Sequence, residues 1–427
     1  MLAQVLLIFA LTASIGVQLL SPRLTVLGVW PKTRELQPPR GIDACQAIEG
    51  LEACEDGWVD HVNGKAYLAC STLESRSIWQ PSLGLLDGSR ALSSNLVNHT
   101  DKLRLFDFAT NTHEEVVLHG MPDTNQEGWA RVWLHGMEVL VHPSSNDEQP
   151  EVTILLISHR PPLLPSSAPE VGARSVVEVF SSRLGSTSAQ WVRTVEHPLV
   201  RTPNNLVGDA ALVESGSGKV GFWVSNDHRT KTGKMRSVEM VYHETSEIVY
   251  CEADLLEKDK EPECKLAADG NAFPNGLAKG PNDLLYSAST YTGDITVWEI
   301  QQADKTLVPV NSIPLHRPID NLHTSPSTGN VYASTFPLLL RFADAGPTDK
   351  DPRRPERVRS PVEVWRVANE TGEGQFYGRQ FATSLAVSDP DGKVVSAVTS
   401  AVPYQDKLLL TGYYTPHATV CTLGEQL

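Results

Sequence analysis

Carboxylate and amide side chains interrupt apolar stretches of the 427-residue sequence at four separate places. They are the pairs Glu55-Asp56, Asn204-Asn205 and Asp320-Asn321, and the single Asn275. The oxygen atoms of these side chains are the ligands that a hard cation such as Ca²⁺ prefers. No D-x-D-x-D-G loop of the EF-hand type occurs, so a calcium site would have to be assembled from distant segments. The plainer interpretation is that such pairs are ordinary turn residues.

Alternation along a strand bears on how these pairs would bind. Neighbouring side chains of an extended strand point to opposite faces, so Glu55 and Asp56 could not easily serve one ion. We therefore expect two adjacent acids to serve two separate ions, or one ion and one structural partner.

Two of the thirteen histidines lie at the ends of apolar strands and could act as bases. His135 lies in WLHGME, and His159 ends the run VTILLISHRPP. A structural histidine is the alternative at both positions. The sequence has no G-x-S-x-G elbow, P-loop or H-E-x-x-H motif, which argues against serine hydrolases, NTPases and zincins.

The charge balance excludes one large class of partner. The chain has 36 basic and 51 acidic residues and a net charge of −15. An acidic surface repels phosphate backbones, so no nucleic-acid partner is expected. The hydrophobic fraction of 41% and the charged fraction of 20% are typical of a folded globular protein.

The elements that must position these residues are short strands that follow tight turns. Asn63-Gly64 leads into KAYLACS, Ser217-Gly218 into KVGFWVSND, and Asp391-Gly392 into KVVSAVTS. Such turns beside apolar runs are strong hairpin signals. Recurrence of this unit predicts an all-β propeller, with room for about six blades of roughly sixty residues. A β-sandwich with insertions is the alternative.

The N-terminus predicts entry into the secretory pathway. Residues 1–22 contain no charged side chain and read as a signal peptide or an uncleaved signal-anchor helix. Residues 23–40 are proline-punctuated and predict a linker, which leaves 41–427 as one propeller domain. The sequons at Asn98 and Asn369 agree with this route. The protein would then be secreted, or anchored in a membrane with its N-terminal helix touching lipid.

Secretion favours pairing of the six cysteines, and no C-x-x-C pair suggests a zinc site. Cys251 and Cys264 could close a charged loop, Cys54 and Cys70 could bridge neighbouring strands, and a bridge from Cys45 to Cys421 would tie the two ends together. The sequence does not choose between these and the other pairings.

Taken together, these segments resemble the serum paraoxonase/arylesterase family from about Gly41 to Leu423. The similarity rests on Glu55-Asp56, His135-Gly136 and ISHRP around His159. Five further motifs follow in order: TPNNLV, SNDH, FPNGLA, PIDNLHTSPSTGNVYAS and KLLLTGYYTPHATVC.

The resemblance implies a six-bladed propeller with two calcium ions in its central tunnel. It implies hydrolysis of lactones and aryl esters, with His135 and His159 activating water, and a bridge between Cys45 and Cys421 that closes the ring. The ligands it implies are Glu55, Asn204, Asn275, Asp320 and Asn321 for a catalytic ion, and Asp56, Asn205 and the backbone oxygen of Met137 for a structural ion.

Three positions depart from the family pattern. Asn205 stands where the familiar vertebrate enzymes have Asp, Phe336 where the family has an active-site histidine, and Thr335 where it has a free cysteine. Asn205 and Phe336 support a second hypothesis, a calcium-stabilised propeller without catalysis that binds lipid or protein. A third is a hydrolase of the gluconolactonase or strictosidine-synthase type, although the series of acids and amides favours the paraoxonase arrangement.

Overall fold

The computed structural model describes residues 16–18, 20–29, 35–93, 101–124, 130–143, 149–242, 245–281, 283–346, 358–370 and 380–424. Most of the apolar N-terminal stretch and the predicted sequon at Asn98 lie outside this part of the chain. Across the described ranges, no helix is both long and apolar enough to span a bilayer.

The described residues form twenty-six strands, many of them rich in the Val, Ile, Leu and aromatic residues that suit a buried sheet. In chain order they are β1 Cys45–Ile48, β2 Asp56–Asp60, β3 Lys65–Cys70, β4 Trp79–Gln80, β5 Leu85–Leu86, β6 Lys102–Asp107, β7 Thr112–His119, β8 Leu134–Val141, β9 Glu151–Arg160, β10 Arg174–Arg183, β11 Ser188–Val195, β12 Pro203–Gly208, β13 Lys219–Asn226, β14 Ser246–Asp254, β15 Glu263–Asn271, β16 Pro274–Lys279, β17 Leu284–Ser289, β18 Asp294–Ile300, β19 Leu307–Pro314, β20 Ile319–Thr324, β21 Val331–Thr335, β22 Val362–Asn369, β23 Phe381–Asp389, β24 Ser400–Tyr404, β25 Lys407–Thr411 and β26 Ala418–Thr422.

A helical segment at 20–26 precedes the first strand, and the helices between strands are short. They are α1 Leu73–Ile78, α2 Gly88–Ala91, α3 Ala168–Val171, α4 Ala210–Glu214, α5 Gly233–Tyr242 and α6 Leu339–Asp344, with 3₁₀ turns at Pro81–Leu83 and Pro165–Ser167. The first begins where Thr72 accepts a hydrogen bond from the Ser75 amide at 3.0 Å, as an N-cap residue does.

Most sheets are four-stranded antiparallel meanders. Strands β12 to β15, β16 to β19 and β20 to β23 each form one such sheet in chain order. An eight-stranded sheet combines two further meanders, because β7 of one pairs in parallel with β11 of the other. A separate two-stranded ribbon joins β4 to β5.

The first strand of each meander faces the middle of the molecule. Strands β2, β8, β12, β16, β20 and β24 contact one another in that order, and β24 contacts β2 again. The fold is therefore mostly β and propeller-like, with a ring of first strands around a central axis. Apolar side chains fill the space between neighbouring sheets, as where Leu140 and Leu155 of one sheet pack with Phe222 and Val224 of the next.

The last sheet joins both ends of the folded body. Strand β1 pairs antiparallel with β26, where Cys45 lies opposite Cys421 and forms a disulfide with it. This is the pair that the resemblance implied. The other two disulfides are local, Cys54–Cys70 and Cys251–Cys264.

Candidate metal and catalytic centre

Four of the first strands carry the same irregularity at the same place. Between Leu134 and Met137, Pro203 and Leu206, Pro274 and Leu277, and Ile319 and Leu322, three steps along the first strand face two steps on its partner. This is a β-bulge, which re-aims the side chains inside it. The residues inside are His135-Gly136, Asn204-Asn205, Asn275-Gly276 and Asp320-Asn321.

Two glycines in these bulges let neighbouring first strands approach closely. A Cβ atom on Gly136 would lie 2.6 Å from the carbonyl oxygen of Asn204, and one on Gly276 would lie 2.5 Å from the Cα of Asn321. Both contacts are with backbone, which cannot swing away as a side chain could. The two glycines therefore help to bring the polar residues of adjacent bulges together.

A buried hydrogen-bond network connects the predicted ligands. Asp56 Oδ2 accepts from the Met137 amide at 2.9 Å and from Asn205 Nδ2 at 2.9 Å. The same Asn205 Nδ2 donates to Asn321 Oδ1 at 3.0 Å, and Asn321 Nδ2 donates to Glu55 Oε1 at 2.8 Å. Met137 thus reaches the centre through its backbone nitrogen, and the role implied for its carbonyl oxygen stays a prediction.

Several buried oxygens of the predicted ligands have no donor. Glu55 Oε2, Asn204 Oδ1 and Asn275 Oδ1 have no hydrogen-bond partner among the described residues. The amide of Asn275 is oriented by Thr290, whose Oγ1 accepts from Nδ2 at 3.0 Å. A buried acceptor without a donor costs free energy, so several together need an explanation. Carboxylate and amide oxygens left in this state fit a hard cation, because they are its preferred ligands.

Burial and neighbouring negative charge raise the pKa values of two predicted ligands. Burial, together with the nearby carboxylates of Asp56 and Asp320, raises the pKa of Glu55 well above its ordinary value. Burial also raises the pKa of Asp320 to about 8, and Asp56 acts in the same direction. A cation between these carboxylates would favour their ionised forms.

The donor set is mixed rather than built from acids and histidines. Among the residues described, no group of three or more His, Cys, Asp or Glu side chains is arranged to hold a metal ion. A cation at this place would depend on the amide oxygens of Asn204 and Asn275 as well as on Glu55 and Asp320.

The two predicted histidines lie together beside these ligands. Their ring centroids are 5.0 Å apart, and His135 Nε2 lies 3.9 Å from Glu55 Oε1. His159 Nδ1 is within 2.8 Å of Ser175 Oγ, while its Nε2 has no partner in the described part of the chain. Burial lowers the pKa of His159 to about 4 and that of His135 well below its ordinary value. Both rings are therefore neutral near pH 7 and able to accept a proton.

Residues that the sequence did not single out surround the pair. The guanidinium of Arg76 lies 4.0 Å from the ring centroid of Tyr413, whose own ring is 5.2 Å from His135. Arg76 also donates to the Leu134 carbonyl at 3.0 Å and lies 3.9 Å from Asp101. No motif marks Arg76, because its contacts arise only when distant segments meet.

Asp227 is another acid to which the sequence analysis gave no role, and it interacts electrostatically with His135 and His159. It lies 2.9 Å from His228 Nδ1 and 3.5 Å from Arg236. Burial alone would raise the pKa of Asp227, but these two neighbours outweigh it and lower that pKa. The SNDH motif contains Asp227, and this was the only signal in the sequence that could have found it.

Two other predicted positions can now be placed. Phe336 is buried and stacks on Phe342, with ring centroids 4.2 Å apart, so it adds apolar surface rather than a proton carrier. Asn369 is the last residue of β22, the third strand of its sheet.

Comparisons with known proteins point to one family. The arylesterase family model matches residues 169–423, more than half of the chain. Human serum paraoxonase/arylesterase 1 is 25% identical over 389 residues, which cover 88% of this chain and 88% of the relative. The rat protein of the same name is 26% identical over 291 residues, or 67% of each chain.

Among solved structures, a gluconolactonase from Xanthomonas campestris covers 91% of this chain and 99% of its own, at 13% identity and a TM-score of 0.44. An allergen of Malassezia sympodialis covers 89% of this chain and 95% of its own, at 9% identity and a TM-score of 0.49. These scores are too low to assign a function.

Proposed function

The chain belongs to the paraoxonase/arylesterase family, and we propose that it is a calcium-dependent hydrolase that opens lactones and cleaves aryl esters. One observation carries the proposal. Buried oxygens of Glu55, Asn204 and Asn275 have no hydrogen-bond donor in the part of the chain that the structure describes. They belong to the same centre as two buried histidines whose rings are neutral near pH 7. Metal-assisted ester hydrolysis requires a cation that polarises the carbonyl and a general base close to it, and these residues could supply both.

We propose two calcium sites on these residues. Glu55, Asn204, Asn275, Asp320 and Asn321 would hold the catalytic ion. Asp56, Asn205 and the Met137 carbonyl would hold the structural ion, with one negative charge fewer than an aspartate at position 205 would give. When bound, the catalytic calcium would polarise the substrate carbonyl and stabilise the negative charge that develops on its oxygen.

Two histidines would accept the proton that the attacking water loses. His135 is neutral and has an unpartnered Nδ1 among the described residues, so it can take a proton from the attacking water. His159 is held by Ser175 and lies close enough to orient His135 and to share the charge. General base catalysis of this kind contributes roughly 10²–10⁴-fold in rate.

The architecture that we infer is a six-bladed propeller, in which the eight-stranded sheet counts as two blades. Three disulfides support passage through an oxidising compartment, and hence the secretory route. Membrane or lipid contact through the N-terminal helix stays a prediction from the sequence.

Activity measurements on purified protein test the proposal. Calcium-loaded wild type should hydrolyse phenyl acetate and a panel of aliphatic lactones. His135→Ala should lower kcat at least about a hundredfold, and His159→Ala should lower it less. The control is His119→Ala, since His119 is exposed at the end of β7. Folded, calcium-loaded protein without turnover on any of these substrates would contradict the proposal and favour the non-catalytic scaffold.

A further inference from the structure

The described residues form a large, half-open cavity among the loops that connect the strands. It has a volume of about 670 Å³ and lies between three connecting segments, 82–89, 165–169 and 231–236. We call it the outer cavity. These segments belong to loops between strands, which are the part of such a fold that sets substrate choice.

The outer cavity adjoins a narrow cleft that reaches one of the two histidines. Ser82, Lys231 and Arg236 line both the outer cavity and this cleft, whose volume is about 10 Å³. His159 and Ser175 also line the cleft. A molecule in the outer cavity would therefore be separated from His159 by this narrow cleft.

One of the two cations at this junction already has an acidic partner. Arg236 lies 3.5 Å from Asp227 and donates to the Ser82 carbonyl at 2.7 Å. Lys231 differs, because its Nζ donates to the Ala173 carbonyl at 3.0 Å and forms no ion pair within the described part of the chain. The charge of Lys231 is thus available to a ligand.

Two acids lie close to Lys231 or the cavity, but both have other partners. They are Asp87, which lines the cavity, and Glu196. Asp87 caps α2 through the Arg90 amide at 3.0 Å, and its carboxylate lies 3.9 Å from the Arg90 side chain. Glu196 attracts Lys231 electrostatically but lies 3.6 Å from Arg174. Lys231 therefore gives this cavity one positive charge without an ion-pair partner among the described residues, in a chain whose net charge is −15. Such a charge attracts an anion.

The remaining walls suit an apolar group. The outer cavity is also lined by four apolar residues, Leu83, Leu86, Pro165 and Pro169. Apolar walls with one placed charge are typical of a pocket that binds an amphiphilic small molecule.

We propose that the outer cavity binds the carboxylate of the substrate, and that the preferred substrates are aryl esters or lactones that carry one. The inference rests on the proposed hydrolase function and narrows its substrate class. In the reaction, water gives its hydroxyl to the carbonyl carbon, the carbon–oxygen bond to the leaving oxygen breaks, and that oxygen receives the proton. The substrate's own carboxylate stays unchanged beside Lys231.

The test compares two matched esters, anionic 4-acetoxybenzoate and neutral 4-acetoxybenzamide. The quantity measured is the ratio of kcat/KM for the anion to kcat/KM for the amide. Lys231→Met should lower this ratio roughly tenfold, the effect of losing one charge-assisted contact. Lys231→Arg, which keeps the charge, should retain most of it. Lys234→Met is the matched control, since Lys234 is exposed and outside the cavity, and it should leave the ratio unchanged.

Failure of this inference and failure of the proposed function give different results. Hydrolysis of both esters with a ratio that Lys231→Met does not change would overturn the inference alone. If folded, calcium-loaded protein hydrolyses neither of these esters nor phenyl acetate nor any lactone of the panel, the proposed function is wrong, and calorimetry with 4-hydroxybenzoate then tests the cavity. Binding by wild type that Lys231→Met weakens roughly tenfold would support the anion pocket, and equal or absent binding would overturn it.

Discussion

The first and second strands of the same sheets differ in both regularity and chemistry. Strand β12 is bulged and places Asn204 and Asn205 at the central axis. Its neighbour β13 pairs with β14 residue by residue from Lys219 to Ser225 and buries Phe222 and Val224 between sheets. The irregular strand carries Asn204, whose Oδ1 has no hydrogen-bond partner among the described residues, and Asn205, which joins the buried network. The regular strand beside it supplies the packing that holds the bulge in place.

The largest effect should follow from removing one ligand charge on a bulged strand. Asp320→Asn keeps the shape of the side chain but removes a carboxylate from the proposed catalytic site, so hydrolysis should fall at least about a hundredfold. Glu299→Gln is the matched change on β18, a strand away from the central axis that pairs without a bulge with β17. Glu299 is exposed, so this change should leave kcat/KM unchanged. If both variants fold, as judged by circular dichroism, and have equal activity, the claim that the bulged strands carry the catalytic groups would be wrong.

Two disulfides of similar span give a second contrast. Cys54–Cys70 and Cys251–Cys264 have sequence separations of 16 and 13, so each should stabilise the fold by about 3 kcal/mol through loop closure. Only Cys54 precedes a proposed ligand, Glu55. Replacing both cysteines of the first pair by Ser should therefore lower calcium affinity as well as stability.

The same replacement in the second pair should lower the free energy of unfolding alone. Denaturant unfolding and calcium titration of the two double variants check this. Unchanged calcium affinity without Cys54–Cys70 would show that the bridge does not position Glu55.

Close approach of the bulges can be tested at a glycine. Gly276→Ala places a methyl group against the backbone of Asp320 and Asn321, so it should cost about 1–3 kcal/mol of stability and weaken calcium binding. Gly185 has open space around it but a φ of +77°, so Gly185→Ala should cost only about 1 kcal/mol from the backbone. Thermal unfolding of both variants measures the difference, and a smaller cost at position 276 would contradict the packing argument.

The smallest effect is the pH dependence of the calcium-free protein. Asp320 has an ordinary pKa of 3.8, and burial raises it to about 8 in the folded state. The folded state therefore keeps a proton that the unfolded chain has released, so stability should fall as pH rises towards about 8. The depressed pKa of His159 acts in the opposite direction, but only between about 4 and 6.5.

The window from about pH 6.5 to about pH 8 thus isolates the carboxylates. Without calcium, the free energy of unfolding should fall across it by up to about 1.4 kcal/mol per pH unit for each group, and the melting temperature should fall with it. Saturating calcium should reduce that slope, because the bound ion favours the ionised forms of its ligands. The part of the slope that remains belongs to Glu138, which is not a proposed ligand and whose pKa burial also raises to about 8. A melting temperature that rises across this window in calcium-free buffer would contradict the assignment.

Sequence patterns predicted the strands and the resemblance implied the proposed ligands, but neither predicted the bulges that bring adjacent residues to one centre. Tight turns before apolar runs, as at Ser217-Gly218, correspond to observed hairpin strands such as β13. Alternation holds along β2, which follows Glu55 and pairs regularly with β3. It does not hold at Asp320 and Asn321, because the bulge in β20 adds a residue that no side-chain pattern reveals.

Contacts between distant segments were beyond the sequence for a different reason. Arg76 and Tyr413 meet only because the ring closes, so no local pattern shows their contact, although Tyr413 lies in the motif KLLLTGYYTPHATVC. The cysteine pairing also depends on strand register, which places Cys251 opposite Cys264 and Cys45 opposite Cys421. Register follows from the whole sheet rather than from spacing along the chain.

The measurement that tests the central claim most directly is hydrolysis of phenyl acetate and a δ-lactone at a series of buffered free calcium concentrations. Our account predicts no turnover in calcium-free buffer, recovery on adding calcium, and a midpoint equal to the Kd of the catalytic ion from calorimetry. Asp320→Asn should shift both values together. Turnover that survives complete removal of calcium from the folded protein would contradict the claim that the bulged strands form a calcium-dependent active site.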